Sequence, residues 1–154
     1  MKKLTACCIF LLILGIFSFG YTQETTRVAS VIEITGTVEV QPVNGAWRAA
    51  ETGMTLYEGD LIRTQAESRA ILNLDGEAQT ATLELKANSQ LKLSQLKKDE
   101  AEQTQNTLLD LSLGEVLIHA QKLHSEKSKF EVKTPTSIVG VRGTTFSVAV
   151  EAVE

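Results

Sequence analysis

Cysteine, proline and tryptophan are scarce: two Cys, two Pro and one Trp in 154 residues. Both cysteines, Cys7 and Cys8, fall inside an N-terminal apolar segment. Beyond it the chain has no thiol, which excludes a disulfide framework, a thiolate nucleophile and a soft metal ligand. A basic excess is also lacking, because 15 Lys and Arg face 19 Asp and Glu. That balance argues against a nucleic-acid partner, which needs a basic face, and against anionic lipid surfaces. No serine sits in an elbow motif and the carboxylates are scattered, so no enzyme class finds its parts. No cofactor is expected. Helix signals are few.

The first segment, "MKKLTACCIFLLILGIFSFGYTQETT", reads as an export signal. Lys2 and Lys3 form its positive start, and residues 4–17 are an apolar run broken by Thr5 and Gly15. Ser18 and Gly20 stand at −3 and −1 of a cleavage after Gly20, giving a signal peptide over 1–20 and a linker over 21–27. The alternative is a retained membrane anchor, since the run is almost long enough to span a bilayer. "LTAC" has the letters of a lipidation box, but Cys7 precedes most of the apolar run, whereas a lipidated cysteine must follow it. Cleavage would remove both cysteines and two lysines, leaving 13 basic against 19 acidic residues in a chain long enough for its own core. The expected location is the periplasm or the medium, with membrane contact only if the segment is retained.

The remainder has a period of two, as expected for strands with one buried face. "VASVIEITGTVEVQ" (28–41) is rich in β-branched residues and punctuated by Gly36. "SRAILNLDG" (68–76) puts Ala70, Leu72 and Leu74 on one face and ends in the Asp75-Gly76 turn signal. "TATLELKANSQLKLSQL" (80–96) gives two runs around Ala87-Asn88-Ser89. "TLLDLSLGEVLIHAQ" (107–121) places Leu109, Leu111 and Leu113 together. Phe130 with Val132, and Phe146 with Val148 and Val150, complete the set. The polar stretch around "KKDEAEQTQN" (97–106) predicts a solvated hairpin tip or a frayed turn of helix. Gly36-Thr37-Val38 and Gly114-Glu115-Val116 echo each other, and a lone glycine between apolar runs suits a corner where a strand enters the next layer.

Three side chains are candidates for function on their own. Trp47, in the loop-rich zone 42–55, either covers one end of the core or offers a stacking surface to a saccharide or small molecule. His119 and His124 are five residues apart and point to opposite faces of a strand, which makes them surface histidines rather than a metal pair.

"GTVEVQ", "AAETGMTLYEGDLIRTQAESRAILNLDG", "LDLSLGEVLIH" and "FEVKTPTSIVGVRGTTFSV", in that order, resemble the FecR domain over 28–154. Its "L..GD.I.T" pattern falls on Leu56, Gly59, Asp60, Ile62 and Thr64. Its turn falls on Asp75-Gly76, and its closing motif on Thr134, Pro135, Val139, Val141, Arg142, Gly143, Thr144, Phe146 and Val148. Ala87 replaces a usual proline. The resemblance implies an all-β, twisted, solenoid-like or sandwich-like extracytoplasmic module, here short of its last strands. It implies the signalling part of an envelope regulator, non-catalytic and working by protein contact. Only Met1, Lys2 and Lys3 precede the apolar run, so the cytoplasmic anti-sigma arm is not expected.

"GVRGTT" has the glycines of a phosphate loop, but a β-branched strand follows it rather than the helix such loops lead into. A corner is the better reading: Gly143 takes the backbone conformation closed to other residues, and Arg142 latches onto Asp60 or Asp75 with its planar fork. After the corner Phe146, Val148 and Val150 alternate along a terminal strand with few edge guards. That edge is the expected contact with an envelope protein or with a second copy of the chain.

Overall fold

The computed structural model describes residues 24–151 except His124. The signal-peptide and cleavage expectations therefore lie outside the described residues. Thirteen strands follow in chain order: β1 (Glu24–Thr26), β2 (Ala29–Thr35), β3 (Val38–Gln41), β4 (Arg48–Ala49), β5 (Thr55–Leu56), β6 (Leu61–Thr64), β7 (Arg69–Leu74), β8 (Ala81–Leu85), β9 (Gln90–Asp99), β10 (Thr104–Ala120), β11 (Lys129–Lys133), β12 (Ile138–Val141) and β13 (Thr145–Val150). A short 3-10 turn, Gly76–Ala78, links β7 to β8. The fold is all-β, as expected.

The strands make two connected layers. One sheet runs β4-β3-β6-β9-β10-β11-β12, with β1 beside the far end of β9; the other runs β5-β2-β7-β8-β10-β13. All pairs are antiparallel except β10 with β11. Strand β10 belongs to both layers: Thr104–Leu113 pairs with β9, Gly114–His119 pairs with β13, and Val116–Ala120 pairs with β8. The inward residues of both sheets, from Val40, Ile62, Leu91 and Leu111 to Val31, Leu72, Leu83 and Ile118, form a single core.

The two echoing glycines are the corners. β2 lies in one layer and β3 in the other, with Gly36 between them at φ +73°. Gly114, at φ +84°, marks the same change inside β10. Each corner rests on a serine from a tight Ala-X-Ser turn. Ser68 Oγ accepts from Thr37 N at 2.9 Å and donates to Ala66 O at 3.0 Å. Ser89 Oγ accepts from Glu115 N at 2.9 Å and donates to Ala87 O at 3.1 Å. A Cβ on Gly36 would lie 2.5 Å from Ser68 Oγ, and one on Gly114 would lie 2.5 Å from Ser89 Cα. The two turns also hold each other, Thr64 N to Ser89 O at 2.9 Å and Asn88 N to Gln65 O at 3.1 Å.

Three local expectations change. Leu113 leaves the face of Leu109 and Leu111 and is 38% exposed, because the ladder is irregular between Leu111 and Leu113 on the approach to the corner. The polar stretch is a hairpin, not a turn of helix: β9 and β10 run together to Asp99 and Thr104, and Asp99 Oδ1 accepts from Ala101 N and Glu102 N at the tip. The expected linker is in part ordered, since β1 pairs with Lys97–Asp99 and Arg27 is buried.

Candidate functional site

Asp75 is held by Arg27 rather than by Arg142. Arg27 grips Asp75 bidentately with one edge of its guanidinium, Nε to Oδ1 at 2.7 Å and Nη2 to Oδ2 at 2.6 Å. Its remaining donors reach Thr107 Oγ1 at 2.7 Å and Thr80 Oγ1 at 2.8 Å. Thr80 in turn donates to Asp75. The pair joins the N-terminal segment to the β7–β8 turn and to β10, with side-chain exposures of only 5% and 14%. Arg142 is exposed and contacts neither aspartate. The corner reading placed its arginine by proximity in the closing motif, while the three-dimensional partner of Asp75 lies 48 positions upstream.

Asp60 has a different task. Its carboxylate accepts two backbone amides, Val43 N at 3.2 Å and Tyr57 N at 2.9 Å, and so ties the 42–45 loop to the Tyr57–Asp60 turn. Gly59, at φ +93°, leaves room there that a Cβ would take from the Val43 side chain. Leu56 and Ile62 from the same motif are core residues. Thr64, also buried, donates to Lys86 O at 2.5 Å and accepts from Ser89 N at 3.0 Å. This motif is architecture.

Gly143 sits at φ +66°, and a Cβ there would come within 2.6 Å of Lys122 Cα. Its backbone is a close-packed corner, as the sequence predicts. Thr134 caps the turn before β12 by accepting from Ser137 N at 3.0 Å.

Trp47 does not cover an end of the core. It lies on the outer face of the β3–β6 pair, half-buried, with the Arg63 guanidinium 4.0 Å from its ring centroid. Arg63 also donates to Glu39 at 2.8 Å. One ring face is thereby occupied by a cation–π contact, which any stacking ligand on that side must displace. The Arg63 hydrogen bond, followed by that of Gln65, holds the Glu39 carboxyl below its ordinary range. On the other sheet the hydrogen bond from Lys86 does the same for Glu84. His119 is exposed and meets Thr145 Oγ1 at 3.0 Å; His124 is outside the described residues. Among the described residues no group of three His, Cys, Asp or Glu is placed to hold a metal ion, and no helix is long and apolar enough to cross a membrane.

The C-terminal strand pairs on one side only among the described residues, with β10. Which of its backbone groups are free follows from the ladder. Ala120 N donates to Thr144 O, so Thr144 and each second residue after it, Phe146, Val148 and Val150, point their amides and carbonyls at β10. Thr145, Ser147 and Ala149 point theirs away. The side chains of Phe146, Val148 and Val150 pack against the core, Val148 being 8% exposed. The three residues expected to meet a partner thus face inward, and the backbone between them carries the free edge.

A two-layer β-module braced by buried ion pair, carboxylate clamp and serine-seated corners defines a scaffold that presents an edge. The family model described as FecR protein matches residues 60–153, and the chain belongs to this family. The family is a regulatory, non-enzymatic one, and its domain points to a signalling-related module. No curated protein and no solved structure matches the chain.

Proposed function

We propose that this chain is a non-catalytic module of the cell envelope, periplasmic or secreted, that acts by protein–protein contact through the free edge of β13. The observation that carries the reading is the edge itself. Among the described residues Thr145, Ser147 and Ala149 present unpaired backbone groups, and no charged or proline residue guards the strand from 145 to 150. A parallel opening exists on β12, which among the described residues pairs only with β11 and exposes Ile138 at 63%. Unguarded edges of this kind take a further strand by β-augmentation. Leu56, Asp60, Ile62 and Thr64 of the family motif serve the architecture, which leaves the edge rather than a pocket as the place to work.

The test is site-specific photo-crosslinking in cells producing the whole protein. A crosslinker at Ala149 should give a protein adduct that a crosslinker at Lys92, on the outer face of the other sheet, does not give. Equal adducts at both positions, or none at either, would remove the contact reading. Fractionation of the same cells should place the protein in the periplasm or medium, and recovery in the cytoplasm would remove the envelope assignment.

A further inference from the structure

On the reading that β13 is the contact edge, we infer that its partner is β13 of a second copy, joined antiparallel about a two-fold axis. The argument is the charge pattern. Six residues, Thr145–Val150, carry no charge, and the strand is bounded by exposed Arg142 before it and exposed Glu151 after it. Arg142 has no ion pair or hydrogen bond among the described residues. An antiparallel two-fold pair about Ser147 sets Glu151 of each copy opposite Gly143 of the other, one position from Arg142, at both ends. A parallel arrangement would set like charge on like. Self-complementarity of this kind is what a two-fold interface requires.

The register follows from which groups are free. Only 145, 147 and 149 offer outward amides and carbonyls, so the axis that uses all of them passes through Ser147. Thr145 then exchanges hydrogen bonds with Ala149 of the other copy, and Phe146 comes opposite Val148. The outward side chains, Thr145, Ser147 and Ala149, are small and leave no steric obstacle. Inward, the half-buried Phe146 and Val150 gain cover. A groove of about 670 Å³ lies between β13 and the Thr134–Ser137 turn, with Leu113 and Val139 in its lining, and it has room for the incoming side chains. Glu115, which accepts from Ser147 Oγ at 2.5 Å, stays about 20 Å from its copy, three strand spacings across and four residues along, beyond the ~10 Å screening length.

Sedimentation of the purified protein over a range of concentrations tests this. Wild type should pass from monomer to dimer. Ser147→Pro removes one outward donor without touching the ladder to β10 and should abolish the dimer. Arg142→Glu should weaken dimerisation about tenfold or more, by placing like charges at both ends. Arg142→Glu with Glu151→Arg should recover it. Should Ser147→Pro lose its β-sheet circular dichroism, the charge pair decides the matter. A monomer at every concentration, or a dimer indifferent to the charge reversal, overturns the inference. The crosslinker at Ala149 separates the two readings: an adduct with the mass of two copies supports self-pairing. An adduct with a different protein overturns self-pairing and leaves the contact reading intact.

Discussion

Arg27 carries more of the fold than its place near the start of the domain would imply. It satisfies Asp75 with two charge-assisted hydrogen bonds and spends its other donors on Thr80 and Thr107. Removing one member of a buried pair leaves the other charge uncompensated, so Arg27→Ala should lower stability by about 3 kcal/mol. Arg27→Lys should recover only part, because an ammonium cannot span both carboxylate oxygens. Arg142→Ala should leave the monomer's melting temperature unchanged, since that side chain is exposed. Thermal unfolding of the three variants at low protein concentration checks the assignment; equal losses for Arg27→Ala and Arg142→Ala would contradict it. The sequence places Asp75 in a turn and offers Asp60 or Asp75 as the partner of Arg142. Which arginine was hidden, because pairing across 48 positions leaves no periodic mark.

At the scale of elements, the corners explain how the described residues, which include no α-helix and no cysteine, close a core. Gly36 and Gly114 let continuous strands pass from one sheet to the other without a loop, and Ser68 and Ser89 receive the first amide beyond each glycine. The glycines were legible as corners because a lone Gly between apolar runs has few other uses. The serines were not, since an Ala-X-Ser turn becomes a seat only when a distant strand crosses it. Gly114→Ala should cost about 3 kcal/mol or more, from left-handed strain together with the clash on the Ser89 backbone. Ser89→Ala should cost about 1–3 kcal/mol by leaving Glu115 N–H unsatisfied. Chemical denaturation reads both, and a Gly114→Ala protein as stable as wild type would show that the corner backbone relaxes freely.

For the whole molecule, the two sheets wear different polar coats, and both weaken in acid. Glu39, beside Arg63 and Gln65, and Glu84, beside Lys86 and Arg69, have carboxyls held below their ordinary value of 4.5. A depressed carboxyl stabilises the folded state fully above that value and loses its contribution as pH falls through the depressed one. Stability should therefore be flat with respect to these groups near neutrality and decline on the acid side of 4.5. Melting temperatures of wild type and the double variant Glu39→Gln/Glu84→Gln should converge as the pH is lowered. A gap between them that stays constant into acid would exclude these carboxylates as its source.

Some of this protein is written in local chemistry. Period-two alternation fixes strands with one buried face, because successive side chains must point to opposite sides. Ala70, Leu72 and Leu74 are inward for that reason, as are Phe130 and Val132. Gly143 at its corner and Asp75 in its turn follow from backbone conformations few residues accept. What the tertiary structure decided is everything that depends on a second segment arriving. It chose Arg27 over Arg142, seated Trp47 under Arg63 on the sheet's outer face, and turned Leu113 outward at the irregularity before Gly114. It also settled that β13 offers the amides of Thr145, Ser147 and Ala149. That phase is set by which side of the strand β10 occupies, and a one-dimensional pattern of side chains contains no record of it.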